Sequence, residues 1–153
     1  MPYKLNALAL IGICAALIAC EPSDQRPGLW LSGKPAEISP KDWRFTNEYK
    51  EIYVEVQTPY FIPHSVTIWC AELEGELYIG ARNPEEKKWP GWVATSPQVK
   101  LKIAEKVYLA TTQQISDEKL IGKIKAAYAA KYQLTSEPGV EPPPMRYWKI
   151  EAS

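Results

Sequence analysis

The sequence contains few of the residues that commonly catalyse reactions or bind metals. It has one histidine, His64, three cysteines and three aspartates, Asp24, Asp42 and Asp117. These residues are not spaced like the ligands of a transition-metal site, so no metal is expected. His64 and Ser65 would point to opposite faces of a strand, which excludes them as a neighbouring base and nucleophile. A triad through a distant serine stays open, but a histidine at a strand entrance is the simpler interpretation.

The chain also lacks an excess of charge of either sign. Its 18 basic and 18 acidic residues give a formal net charge of zero. Domains that bind nucleic acids need a basic surface to meet the phosphates, so nucleic acid is not an expected partner. No internal repeat or coiled-coil heptad is visible, and the length suits one domain.

The N-terminus resembles a bacterial lipoprotein signal peptide. Lys4 precedes an apolar run of 12 residues, Ala7 to Ile18, and Leu17-Ile18-Ala19-Cys20 is similar to a lipobox. The run is shorter than the roughly 20 residues of a membrane-spanning helix, although a plain anchor helix is the alternative. The resemblance implies residues 1–19 as signal peptide, 20–28 as a lipid-anchored tether and 29–153 as a single domain.

The same resemblance implies an address. Lipid on Cys20 would anchor the mature protein in the bacterial cell envelope, and Glu21 differs from the aspartate that retains enterobacterial lipoproteins at the inner membrane. We therefore expect the outer membrane, facing the periplasm. Since Cys14 leaves with the signal peptide and Cys20 carries lipid, Cys70 has no cysteine to pair with, and an intramolecular disulfide is excluded.

From residue 52 onward the apolar residues alternate with polar ones, which predicts strands. A first strand begins at Ile52. A Glu74-Gly75 turn predicts a hairpin over residues 65–82, and an Ala104-Glu105 turn predicts a second hairpin over residues 99–112. A last strand is expected from Met145 to Glu151, after the stiff connector formed by residues 141–144.

One helix is predicted from Asp117 to Tyr132, with Ser116 as its N-cap. Its apolar stripe consists of Leu120, Ile121, Ile124, Ala127 and Tyr128. The predicted fold is mainly β, with one or two helices: a small antiparallel split β-barrel with a packed helix in its C-terminal half. Cys70 lies on an apolar strand face and is interpreted as a core residue, with a reactive thiol as the alternative.

The segment from Arg82 to Val99 is predicted as a loop that joins the two hairpins. Its cations could hold a phosphate, and Trp89 or Trp92 could stack on an aromatic ring. The alternative is that the cations are solvated and the tryptophans close the barrel mouth.

The order of these segments resembles the flavin-binding split-barrel superfamily, which includes pyridoxamine-phosphate-oxidase-like and deazaflavin-dependent nitroreductase-like proteins. The resemblance covers about residues 43–134. It rests on Pro63-His-Ser-Val-Thr-Ile-Trp-Cys70, the Gly75 turn, Leu77-Tyr-Ile-Gly80, Lys88-Trp89, Val93, Ser96-Pro-Gln-Val-Lys-Leu-Lys-Ile103 and Val107-Tyr108. The spacing from Trp89 to Pro97 is similar to the Trp-x-x-Asn-Leu-x-Ala-Asn-Pro segment of the deazaflavin branch, with Trp92 in place of its first asparagine.

This resemblance implies a homodimer that binds FMN or a related flavin at the subunit interface. Carried over by position, the cofactor-binding candidates are Ser65, Thr67, Trp69, Arg82, Lys87, Lys88, Trp89 and Trp92. The Gly-Arg-x-Ser-Gly of many deazaflavin enzymes is absent. Two hypotheses follow: a flavin-dependent oxidoreductase of the cell envelope, or a non-catalytic lipoprotein whose barrel binds a small planar ligand, a partner or a second copy.

Overall fold

The strands of this protein form one curled sheet. The computed structural model describes residues 28–37, 40–135 and 139–153, so the predicted signal peptide and Cys20 lie outside the described residues. The strands are β1 (Lys34–Pro35), β2 (Ile52–Val56), β3 (His64–Ile68), β4 (Cys70–Leu73), β5 (Glu76–Arg82), β6 (Gln98–Ile103), β7 (Lys106–Gln114) and β8 (Met145–Ala152). The helices are α1 (Trp89–Thr95) and α2 (Glu118–Tyr132), with short 3-10 helices at Arg44–Glu48 and Pro84–Glu86.

Strand order explains how the sheet closes. Neighbouring strands are antiparallel in the order β3-β2-β6-β7-β8-β5-β4, and β1 pairs in parallel with β7. Strands β3 and β4 lie at opposite ends of this order, yet only Trp69 separates them in the chain. One bent stretch of chain therefore forms both ends of the sheet, which confirms the predicted split barrel and its mainly β class.

The barrel interior is apolar because residues at alternate positions point inward. Ile52, Val54, Leu77, Ile79, Leu101 and Ile150 are among the fully buried side chains. Cys70 is also fully buried in this cluster, which confirms its interpretation as a core residue.

Helix α2 packs on the outside of β4, β5 and β8. Ile124 and Tyr128 contact a second apolar cluster that includes Ala71, Tyr78 and Tyr147. This contact confirms the predicted apolar stripe. The helix ends at Tyr132, as predicted. The N-cap prediction was wrong: the Asp117 carboxylate, and not Ser116, accepts the Leu120 N–H at 2.8 Å. An aspartate caps as well as a serine, so the local sequence allowed either start.

Two tyrosines of α2 hold the bend between β3 and β4. The Tyr128 hydroxyl donates to the Trp69 carbonyl oxygen at 3.0 Å, and the Tyr132 hydroxyl accepts the Cys70 N–H at 3.0 Å. The Tyr132 hydroxyl also lies 2.7 Å from the carbonyl oxygen of Lys50, to which it can donate. These contacts satisfy backbone groups that the bend takes out of the strand ladders. Burial raises the pKa of Tyr128 well above its ordinary value, so its hydroxyl keeps its proton.

The structure differs from the predicted hairpins at one point. The predicted first hairpin spans residues 65–82, but only Cys70–Leu73 pairs with β5, and His64–Ile68 pairs with β2 instead. The alternation runs through Trp69 without interruption, so it could not reveal that the strand changes partner. The second hairpin and its Ala104-Glu105 turn are confirmed.

Part of the predicted loop between the hairpins is helical. Residues Trp89–Thr95 form α1, which buries Trp89, Pro90 and Val93. Proline is tolerated in the first turn of a helix, where its missing N–H has no partner to lose. A helix of two turns shows too little periodicity to be predicted, and burial of these three side chains stabilises it.

Replacing Tyr128 by phenylalanine is expected to destabilise the protein. The change removes the hydroxyl that satisfies the Trp69 carbonyl oxygen. Because an unsatisfied buried group costs about 1–3 kcal/mol, the free energy of unfolding should fall by roughly that amount. Urea unfolding followed by tryptophan fluorescence measures it. The control Tyr60→Phe alters an exposed ring and should change stability by less than about 0.5 kcal/mol. Equal losses in both variants would contradict a role for the buried hydroxyl.

Candidate functional site

The barrel is open between β3 and the end of β5, because these two strands do not pair. The β4–β5 ladder begins with the pair Cys70 and Ile79. If the β4–β5 ladder continued for three more residues, Thr67 would lie opposite Arg82. Thr67 instead belongs to β3, which pairs with β2. We call the opening the split. The edge of β3 that does not pair with β2 borders it on one side, and residues 82–92 border it on the other. All eight residues carried over from the resemblance lie along these two borders or at the bend between β3 and β4.

On the β3 side, Ser65 is already engaged. Its side chain is buried, and its N–H and carbonyl oxygen bond with Gly28 at 2.9 and 3.1 Å. The Leu31 N–H donates to the Glu55 carboxylate at 2.7 Å, and Glu55 also pairs with Lys100 at 3.0 Å. Residues 28–31 therefore lie over the Glu55–Ser65 pair of the β2–β3 ladder. A ligand could reach the backbone of Ser65 only if this segment moved.

Thr67 has an unused hydrogen-bonding group. Its Oγ1 atom is buried and has no hydrogen-bond partner in the described part of the chain. It stands on the same strand face as Ser65, opposite Tyr53 in the ladder. A buried hydroxyl without a partner is unfavourable and uncommon in folded proteins. Among the candidate residues, Thr67 therefore offers a polar atom that a ligand could satisfy.

Trp69, at the bend, is 44% exposed. One face of its ring stacks on Tyr132, with the ring centroids 4.2 Å apart and the planes 8° from parallel. The ring is held in place by α2 while part of its surface remains open. Trp69 could thus contact a planar ligand without a change in its own position.

The opposite border of the split carries three cations beside Glu85 and Glu86. Arg82, Lys87 and Lys88 are exposed, and the Lys87 ammonium donates to the Arg82 carbonyl oxygen at 2.8 Å. The nearby Glu85 pairs with Arg146 instead. Within the residues that the structure describes, no carboxylate forms an ion pair with the three cations. An anionic group such as a phosphate would find cations here that no acidic side chain has neutralised.

The two tryptophans of α1 have different environments. Trp89 is 6% exposed and packs against Trp148 in the barrel core, at 4.9 Å between ring centroids. Trp92 is partly buried at the barrel mouth, the end at which β3 begins. The edges of the Trp92 and His64 rings meet at 5.4 Å, and Tyr60 meets Trp92 at 6.0 Å. Trp92 is therefore the accessible ring of the pair, while Trp89 is a core residue.

Sequence patterns did not connect His64 and Tyr60 with Trp92. The contacts join residues that are far apart in the chain, and His64 was interpreted only as a residue at a strand entrance. His64 and Ser65 point to opposite strand faces, as predicted, because His64 pairs with Val56 and Ser65 with Glu55. The pair therefore cannot act together as a base and a nucleophile.

A shallow groove lies elsewhere, on the outer face of β2, β6 and β7. Its volume is about 130 Å³, and it is lined by Glu55, Val56, Gln57, Gln98, Val99, Lys100 and Leu109. Pockets that enclose small molecules usually measure roughly 300–1,000 Å³. The groove includes none of the candidate residues and is too small to enclose a flavin.

Cys70 is shielded from chemistry. Its sulfur lies 3.4 Å from the Lys131 ammonium, which also donates to the Thr46 carbonyl oxygen at 2.9 Å. Burial raises the pKa of the Cys70 thiol, and the nearby positive charge of Lys131 only partly opposes this effect. The thiol is thus protonated and enclosed, unlike reactive cysteines, which have lowered pKa values and access to solvent.

The described residues contain no group of three or more histidine, cysteine, aspartate or glutamate side chains placed to hold a metal ion. In the same part of the chain, no helix combines the length and the apolar character needed to cross a bilayer.

Comparison with known proteins adds a family and a fold. A bacterial family described as "Uncharacterized protein conserved in bacteria (DUF2255)" matches residues 45–145. No curated protein matches the sequence.

Several solved structures share the fold at low sequence identity. A "putative pyridoxamine 5′-phosphate oxidase" from Listeria innocua has a TM-score of 0.54 and 15% identity, over 69% of this chain and 85% of that chain. An F420 reductase has a TM-score of 0.53 and 11% identity, over 74% and 95% of the two chains. A conserved hypothetical protein from Mycobacterium tuberculosis has a TM-score of 0.56 and 12% identity, over 71% and 76%. These similarities confirm the resemblance to the split-barrel superfamily at the level of the fold.

The Cys70 thiol should react only when the protein unfolds. In a Cys14→Ser/Cys20→Ser background, Cys70 is the single thiol. We expect an aromatic disulfide reagent to modify it at least about a hundredfold more slowly in the folded protein than in guanidinium, because the thiolate is rare and enclosed. Adding Ala104→Cys places a thiol on the exposed β6–β7 turn as the control, which should react at once. Rapid modification of folded Cys70 would restore the alternative of a reactive thiol.

Proposed function

This chain belongs to the DUF2255 family and folds as a split barrel, and from this fold and its lipoprotein-like N-terminus we propose that it is a cell-envelope lipoprotein that binds a flavin and acts as an oxidoreductase. The observation that carries this proposal is the composition of the split. Among the described residues, a buried hydroxyl without a partner lies on one border, at Thr67, and cations without ion-pair partners lie on the other, at Arg82 and Lys88. Structures with the same fold include an F420 reductase and a protein named as a pyridoxamine-phosphate oxidase.

The residues at the split fit the chemical parts of FMN. Arg82, Lys87 and Lys88 would bind the phosphate, since charge-assisted hydrogen bonds to phosphate are strong. Trp92 and Trp69 would contact the planar ring, and Thr67 would offer its hydroxyl to a polar ring atom. A bound flavin supplies the electron transfer, whereas these side chains bind it, orient it and exclude water from it.

We propose that the site is completed in a homodimer. One protomer offers open borders, and the shallow groove on its outer face is too small to enclose a flavin. A second copy would cover the ligand and exclude water. The outer sheet face exposes Leu109, which is 61% accessible, beside the Glu55–Lys100 pair. An apolar residue with polar neighbours is typical of an interface between subunits.

The alternative, a non-catalytic lipoprotein, is favoured by one observation. The backbone of Ser65 is hydrogen-bonded to Gly28, and Trp89 packs in the core. Two of the eight candidates therefore already have partners within the domain. In this case the barrel would serve ligand binding, partner binding or dimerisation. A colourless protein that ignores added flavin would support this function.

Flavin binding should depend on Lys88 and Trp92. We expect the purified full chain to bind FMN saturably, with a visible absorption band and quenched flavin fluorescence. Lys88→Ala and Trp92→Ala should each raise the Kd about tenfold, the size of one lost charge-assisted contact or ring contact. The control Lys125→Ala removes an exposed lysine of α2 and should leave the Kd unchanged. Absence of binding, or equal effects in all three variants, would overturn the flavin proposal.

Lipid attachment at Cys20 is a separate part of the proposal. We expect mass spectrometry of the membrane-extracted protein to show a mature chain that begins at Cys20 and carries acyl groups, and fractionation to place it with outer membranes. Cys20→Ser should remain unprocessed and unlipidated. Cys14→Ser, within the apolar run, is the matched control and should mature normally. Normal maturation of Cys20→Ser would contradict lipid attachment and the envelope address.

A further inference from the structure

We propose that the loop between β2 and β3 docks on the lipid bilayer, with Phe61 and Ile62 entering its surface. This inference rests on the proposed lipid anchor at Cys20 and adds a second, non-covalent membrane contact. We call residues 57–63 the docking loop. The contact would fix how the domain is oriented on the membrane, which a tether alone does not.

The docking loop exposes three consecutive large apolar side chains. Phe61 is 90% exposed, Tyr60 57% and Ile62 51%. Three adjacent apolar side chains, all more than half exposed, form a continuous surface. Such a surface on a folded domain commonly marks a contact with a partner or a membrane.

The loop is ordered, so the exposure does not come from a loose chain. The Thr58 hydroxyl donates to the Ile62 carbonyl oxygen at 2.6 Å, and the Phe61 N–H donates to the Thr58 carbonyl oxygen at 3.2 Å. The Tyr60 ring meets the edge of Trp92 at 6.0 Å. These contacts fix the loop while Phe61 and Ile62 point into solvent.

The backbone at Phe61 supports a role for its side chain. Its φ of 63° lies in the left-handed region, which glycine or asparagine adopts with less strain. A bulky aromatic residue at such a position requires support from its surroundings, and strained positions of this kind concentrate at functional sites. The Phe61 side chain is nevertheless almost fully exposed, so the described residues of the domain give its ring little support.

The docking loop lies at the end of the domain where the anchor would enter. Gly28 bonds to Ser65, and the Glu55–Ser65 pair is next to Val56–His64, the last pair before the loop. Leu29 and Trp30, which follow Gly28, are 46% and 50% exposed. The eight residue-to-residue steps from Cys20 to Gly28 can span at most roughly 29 Å. Lipid on Cys20 would therefore hold this end of the domain close to the bilayer.

The chemistry of the loop matches the interfacial zone of a bilayer. Residues 57–63 contain no charged side chain. Aromatic rings such as those of Tyr60 and Phe61 settle near lipid headgroups, and burial of apolar side chains drives such binding. Because no cation takes part, docking should be similar on neutral and anionic lipids and should survive high salt.

A fluorophore at position 61 tests the proposal. The full chain carrying Phe61→Cys is matured in bacteria, labelled with an environment-sensitive maleimide and placed in phosphatidylethanolamine vesicles whose acyl chains are brominated. The matched control is Ala104→Cys, because Ala104 is also exposed and also has a positive φ, of 52°. Ala104 follows the end of β6 that is far from the docking loop. We expect bromine to lower the fluorescence at position 61 about twofold, and to leave that at position 104 unchanged.

Each of the other outcomes would overturn a different part of the proposal. Equal accessibility of both labels to aqueous iodide, in protein whose mass shows lipid on Cys20, would overturn docking and leave the anchor intact. Protection of position 61 from iodide without quenching by brominated lipid would show that a second copy covers the loop, which also overturns membrane docking. A mass without lipid on Cys20 would instead show that the anchor fails, and the inference with it.

Discussion

The structure depends on one stretch of chain that belongs to both ends of the sheet. Residues 64–73 pair with β2 before Trp69 and with β5 after it. The bend leaves backbone groups outside the ladders, and α2 satisfies them through Tyr128 and Tyr132. Buried backbone groups without partners are strongly unfavourable, so the bend and the helix form one unit. A barrel of this kind can close only while α2 stays docked.

The split follows from the same bend. Because β3 pairs with β2 and not with β5, the end of β5 has no partner strand on that side. The chain after Arg82 turns across the barrel mouth into α1. This path places charged and aromatic residues opposite the polar face of β3. The charged and polar residues of the candidate site therefore gather where the sheet is interrupted, whereas the continuous part of the sheet encloses a large apolar cluster.

The sequence predicted those parts of the fold that depend on local periodicity. Alternation located the strands from residue 52 onward but not β1, an apolar stripe located α2, and the apolar face of its strand placed Cys70 in the core. The change of partner at Trp69 was not predictable, because alternation is the same on either side of it. For the site, residue types could be predicted but contacts could not. The Trp92–His64 and Gly28–Ser65 contacts each join segments that only the folded barrel brings together.

The Gly28–Ser65 pairing has a mechanical consequence. Any pull on the chain before Gly28 reaches the domain first through two backbone hydrogen bonds to the edge of β3, and then through the bond between Leu31 and Glu55. Both attachments lie outside the apolar core. A moderate tension would thus peel this strip from the edge of β3 and widen the opening beside Thr67, while the closed barrel behind it continued to bear the load.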